Sequence, residues 1–132
     1  MTLVDTNILL DLFTNDPRWA GWSGAQLDRL ALIGPLVVND IVYAELSVNF
    51  PAPDDIDALL VQMGIVLTPT PRAALFLAGK AYRRYRLSGG TRTGVLSDFF
   101  IGAHAEVTQV PLLTRDTKRY RAYFPTLQLI AP

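Results

Sequence analysis

Apolar residues fall in short runs bounded by turn residues, and these runs alternate with longer stretches whose apolar positions recur every three or four residues. Thr2-Leu3-Val4 reads as a β-branched strand running into a turn at Asp5-Thr6-Asn7, with a helix from Ile8 to about Phe13. Asn15-Asp16-Pro17 breaks that helix, and a second is expected over Arg18–Ile33, ending at Gly34-Pro35. Leu36–Val38 is a second strand, and Asn39 or Asp40 caps a helix from Ile41 to about Val48. Pro53-Asp54-Asp55 opens a helix over Ile56–Met63, Gly64 stops it, and Ile65–Leu67 is a third strand. A long helix follows from Pro71 to about Tyr85, then a glycine-rich loop over 88–94. Ser97 is expected to cap a helix from Asp98 to about Val107. Pro111–Thr114 is a fourth strand, Thr117–Tyr123 a short helix and Leu127–Ile130 a fifth strand.

Strands alternating with helices imply a mostly parallel sheet covered on both faces. The chain has 132 residues and no repeat, low-complexity tract or linker, so a single domain spanning 1–132 is expected. In such sheets, ligands bind at the carboxyl ends of the strands.

That pattern sets four acids apart. Asp5 follows Leu3 and Val4 and ends the first strand, with Asn7 two residues on. Glu45 has Ile41, Val42 and Val48 at helical spacing, which places a carboxylate on an apolar stripe. Asp98 shares a helix face with Ile101, Gly102 and Ala105, small or apolar residues that let the helix approach the sheet closely. Asp116 follows the fourth strand, Leu112-Leu113-Thr114, with only Arg115 between, and Thr114 offers a hydroxyl there. Each has an ordinary alternative: a turn residue at Asp5, a snorkelling stripe edge at Glu45, a helix-end acid at Asp98, a cap at Asp116. Together they suggest a bound cation, because an unpaired buried carboxylate either loses its charge or acquires one.

Composition narrows the cation. The chain has no cysteine and one histidine, so thiol catalysis, disulfides and cysteine- or histidine-rich metal centres are excluded. His104, six residues beyond Asp98, points nearly opposite to it and reads as packing or surface. Oxygen ligands alone favour Mg2+ or Mn2+, which suits hydrolysis of a phosphodiester without a protein nucleophile.

Charge is zero in sum but uneven. Residues 1–57 hold nine acids and two bases, and residues 58–132 three acids and ten bases. This asymmetry is compatible with a polyanionic partner or with a solvated basic face. Arg83, Arg84, Arg86, Arg92 and Arg115 are candidates for gripping nucleic-acid phosphates around an acidic centre. Tyr82, Tyr85 and Tyr120 lie among them, as base-stacking groups or, in the plainer reading, as core residues with hydroxyls at the surface. The opening MTLVDTNILLDLF has no basic leader and carries Asp5 and Asp11 in its apolar stretch, and no apolar run is long enough to span a bilayer. A soluble cytoplasmic protein without membrane contact is the expectation.

LVDTNILLDLF near the start, AEL at 44–46, LSDFFIGAHA at 96–105 and LLTRDTKRYRAYFPTLQLIAP at the end resemble the PIN-domain family, in the family's order. The resemblance is closest to the VapC-type toxins of prokaryotic toxin–antitoxin modules. It implies a three-layer α/β/α sandwich with a central sheet of about five strands. It implies a metal-dependent endoribonuclease in which Asp5, Glu45, Asp98 and Asp116 are the catalytic and metal-binding acids, with Asn7 and Thr114 as supporting polar groups. A VapB-like antitoxin, an RNA substrate and a homodimer also follow from the resemblance. Phe13, Trp19, Trp22, Leu27, Leu30 and Phe50 concentrate apolar surface early in the chain, either as core or as a groove for a partner's helix.

A haloacid-dehalogenase-like phosphatase also begins with a strand-end aspartate but needs a second one two residues on, where this chain has Asn7. A non-catalytic RNA-binding domain of the same fold, or a nuclease acting on DNA, are the other readings. Metal-dependent cleavage separates the first of these from the ribonuclease.

Overall fold

The computed structural model describes residues 1–92 and 94–132, so Thr93, part of the predicted 88–94 loop, lies outside the described residues. Among the described residues the chain runs β1 (Thr2–Val4), α1 (Thr6–Phe13), α2 (Ala20–Ala31), β2 (Leu36–Val38), α3 (Asp40–Ser47) and α4 (Pro53–Gln62). It continues with β3 (Ile65–Leu67), α5 (Arg72–Leu87), α6 (Leu96–Thr108), β4 (Leu112–Leu113), α7 (Lys118–Tyr123) and β5 (Leu129–Ile130). The five strands form one sheet in the order β3-β2-β1-β4-β5, every pair parallel. This is the expected α/β/α arrangement, and the sheet is fully rather than mostly parallel.

Strand composition explains the burial. Leu3, Val4, Val38, Leu112 and Leu113 are completely buried, as side chains on both faces of a helix-covered parallel sheet must be. Burial of each such side chain contributes about 1.5–3 kcal/mol. β3 is an edge strand, and there Val66 and Leu67 are exposed. The chain moves outward from β1 to β3 on one side, then returns to place β4 beside β1 on the other. The carboxyl ends of β1 and β4 therefore flank the point where strand order reverses, the usual crevice of an open α/β sheet.

Helix boundaries move where side chains find other partners. α2 begins at Ala20 rather than Arg18, because Asp16 Oδ1 accepts the N–H groups of Arg18 and Trp19 and holds them in a preceding turn. Asn39 is the cap of α3, its Oδ1 accepting the Val42 N–H at 2.9 Å. Ser97 does not cap α6, which starts one residue earlier at Leu96 without a side-chain cap. Gly102 serves a close approach, but to α7 rather than to the sheet: a Cβ there would lie 2.6 Å from the Phe124 ring and 3.0 Å from that of Tyr120.

Candidate active site

Asp5 caps α1 from the end of β1. Its Oδ1 accepts the Thr6 N–H at 2.7 Å, while Oδ2 accepts the hydroxyls of Thr114 (2.7 Å) and Tyr120 (2.8 Å). Three donors from β1–α1, β4–α7 and α7 itself thus fix one carboxylate that is only 4% exposed. Thr114 Oγ1 also accepts the Asp116 N–H at 3.1 Å, so one hydroxyl ties the two strand ends together. Asn7 Nδ2 lies 3.3 Å from the same hydroxyl and its Oδ1 accepts the Arg115 N–H at 3.2 Å. Asn7 and Thr114 therefore support the loop that carries Asp116.

Glu45 receives the Thr6 hydroxyl on Oε1 at 2.6 Å and the Ser97 hydroxyl on Oε2 at 3.2 Å. It lies at the edge of its helix's apolar stripe and is half-buried, since Val42 and Leu46 carry the stripe and Val48 is 85% exposed. Asp98, in the first turn of α6, is half-buried, and Arg119 Nη1 lies 2.5 Å from its Oδ2. Asp116 is exposed, so its carboxylate is not a buried charge as the sequence pattern suggests. All four acids nevertheless line a single cleft of about 200 Å³ with Thr6, Asn7 and Leu10.

Confinement raises the proton affinity of Asp5 and Asp98. Burial pushes Asp5 up from 3.8 to about 6, against its hydrogen bonds from Thr114, Tyr120 and Thr6 and with help from the Asp98 charge. Burial likewise raises Asp98, as do Glu45 and Asp116, while Arg119 opposes them. Tyr120, buried and facing these carboxylates, is held well above its ordinary value, which keeps its proton available for Asp5.

The Asp5 shift has a measurable consequence. Between about pH 4 and pH 6 the native metal-free protein binds a proton that the unfolded chain does not. Stability from this residue therefore falls as pH rises through the window, and above it the ionised form costs about 3 kcal/mol. Denaturation in EDTA should show wild type gaining up to that amount over Asp5→Asn as pH drops from 7 to 4. Parallel pH profiles for the two proteins would contradict this assignment.

The donors are all oxygen, which suits a hard divalent ion. As the side chains stand, no group of three or more His, Asp or Glu residues among the described residues is arranged to hold a metal, and Arg119 supplies the positive charge at Asp98. Asp5, Asp98 and Asp116, with Glu45 beside them, are the residues that would hold one.

Several contributors escaped the sequence pattern. Tyr120 is neither a surface hydroxyl nor a base-stacking platform, because it is buried against Asp5. Thr6, Ser97 and Arg119 carry no motif that marks them, since their partners lie 39, 52 and 21 residues away. Arg115 is not free for nucleic acid. Its Nε and Nη2 lie 2.7 and 2.8 Å from the Asp11 carboxylate, which is buried and also accepts the Ser23 hydroxyl, and its guanidinium sits over the Trp19 ring. Arg83, Arg84, Arg86 and Arg92 are exposed, and Arg84 reaches the Tyr123 carbonyl. His104 is buried and paired with Asn39, which settles the choice between packing and surface in favour of packing.

A parallel α/β sheet with four carboxylates around the ends of β1 and β4 defines a class of protein with an acidic, metal-suited cleft at the strand-order reversal. The PIN domain family matches residues 2–125, and the chain belongs to it. No curated protein matches in sequence. Among solved structures, the fold is similar to VapBC2 from Rickettsia felis bound to a DNA fragment from its promoter. That match has 20% identity and a TM-score of 0.76, covering 99% of this chain and 98% of that one. It is also similar to VapBC-1 from nontypeable Haemophilus influenzae, with 22% identity, a TM-score of 0.71 and coverage of 98% and 96%. VapBC from Salmonella typhimurium, also solved bound to DNA, gives 16%, 0.71, 98% and 96%. No helix among the described residues is long and apolar enough to cross a membrane.

Proposed function

We propose that this PIN-domain protein is a VapC-like toxin: an endoribonuclease that hydrolyses RNA phosphodiesters with Mg2+ or Mn2+ held by Asp5, Asp98 and Asp116, with Glu45 completing the carboxylate set. The observation that carries the reading is the meeting of all four acids in one cleft at the β1–β4 switch. When bound, the metal would acidify a water and offset charge developing on the phosphate oxygens.

The protein's own part is orientation. Tyr120, Thr114 and the Thr6 N–H lock Asp5, and the hydroxyls of Thr6 and Ser97 lock Glu45. Thr6 therefore couples the two carboxylates, through its backbone to one and its side chain to the other. Such outer partners typically account for 10–100-fold, as an order of magnitude, in metal affinity or activity.

The partners follow from the same reading. A VapB-like antitoxin is expected on the early helices, where Phe13 and Phe50 pack edge to face at 5.4 Å and Trp19 against Trp22 at 6.2 Å, all four only half-buried. Leu27 and Leu30 belong to the core and do not contribute to that surface. A homodimer, a cytoplasmic location and a single domain over residues 1–132 complete the proposal. The test is cleavage of a panel of structured RNAs and matched DNAs by purified, partner-free chain with Mg2+, Mn2+ or EDTA. Metal-dependent cutting confined to RNA is expected. Cutting of DNA alone, or RNA binding without cutting, would replace this reading by one of its rivals.

A further inference from the structure

Arg119 stands between two hollows. Its guanidinium pairs with Asp98 of the acid cleft, and its side chain also lines an adjoining hollow of about 480 Å³ with Tyr85, Arg92, Asp116, Lys118 and Tyr123. Asp116 walls both spaces, so the two are contiguous at that residue. The second hollow combines three cations with two tyrosine rings, the mix that tracks a single-stranded backbone and stacks its bases. Its floor is rigid: Tyr85 and Tyr123 both pack on Phe99, at 5.7 and 5.1 Å.

We propose that Arg119 is a placeholder cation, which neutralises Asp98 until a divalent ion takes that carboxylate and then turns into the adjoining hollow to grip an RNA phosphate beside Arg92 and Lys118. The inference rests on the metal-ribonuclease reading and deepens it. Arg119 Nη1 is 2.5 Å from Asp98 Oδ2, and a divalent ion on the same carboxylate would repel that guanidinium and weaken the pair. The next residue, Tyr120, is buried and anchored on Asp5, so the backbone of α7 stays in place while the Arg119 side chain moves. Arg119 thereby links loading of the acid cleft to opening of the phosphate site.

The two roles predict opposite effects of one substitution. Mn2+ affinity is measured by electron paramagnetic resonance, and binding of a 2′-O-methyl oligonucleotide, which is not cleaved, by fluorescence anisotropy with Mn2+ present. Arg119→Gln should tighten Mn2+ binding roughly threefold or more, as expected when a competing cation is removed. It should weaken the oligonucleotide and lower the slope of log affinity against log salt by about one. Arg119→Lys, which keeps the charge, should retain that slope. An Arg119→Gln protein with either affinity within about twofold of wild type would overturn the proposal, since loss of a phosphate contact acts uniformly on all sequences. Should Arg119→Gln not fold, loss of the slope in Arg119→Lys would do the same. Wild type that binds no Mn2+ at all would remove the metal-ribonuclease reading as well. Wild type that binds both ligands beside an indifferent variant removes only the role of Arg119.

Discussion

Asp98→Asn should lower RNA cleavage at least on the order of 100-fold, the rate equivalent of the several kcal/mol a bound metal contributes, with the fold intact. Asn keeps the shape of the side chain and can still accept a hydrogen bond from Arg119, but it removes the charge that a divalent ion needs. The fold has little to lose. The Asp98–Arg119 pair is part-exposed, with side chains 29% and 19% accessible, so its loss costs about 0–1 kcal/mol. Removing the charge also relieves the burial cost, and the lesser crowding from Glu45 and Asp116, that hold Asp98 above its ordinary range. An unchanged denaturation midpoint with cleavage lost is the expected pair of results. Cleavage at the wild-type rate would remove Asp98 from the metal set.

The largest effect on stability is expected one residue further on. Phe99 is completely buried and sits between α5 and α7, with its ring centroid 5.9 Å from Tyr82, 5.7 Å from Tyr85, 5.1 Å from Tyr123 and 6.4 Å from Phe124. Truncation removes the ring from all four partners and leaves a cavity that rigid aromatic neighbours cannot close. Phe99→Ala should therefore cost about 3–5 kcal/mol in urea denaturation. Because Phe99 also locates α7 relative to α6, cleavage by the surviving folded fraction should fall as well, through displacement of Tyr120 from Asp5. A cost below about 1 kcal/mol would show that α7 is positioned by other contacts.

The sheet and the four acids could be read from the sequence because both depend on neighbours in the chain. Leu36–Val38 and Ile65–Leu67 are apolar runs closed by turn residues, and both are strands over those same residues. Asp5 stands out because it follows such a run directly, and Asp116 because it lies just past Leu112–Thr114. What could not be read depends on contacts across the sheet. Ser97 has the sequence context of a helix cap, yet its hydroxyl goes to Glu45, 52 residues away. Arg115 has the context of a phosphate ligand beside a candidate site acid, yet Asp11, 104 residues earlier, holds it. In the sequence Asp11 is only a charge in an apolar stretch, although its burial with Ser23 and Arg115 braces the loop that carries Asp116. Tyr120 shows the limit most plainly: no local pattern distinguishes a tyrosine that wets its hydroxyl from one that orients a buried carboxylate.

The measurement that bears most directly on the central claim is anomalous diffraction from crystals grown with Mn2+. A manganese peak within the cleft bounded by Asp5, Asp98 and Asp116 is the predicted result. Manganese bound only elsewhere on the surface, in protein that still cleaves RNA, would contradict it and detach the four carboxylates from the chemistry.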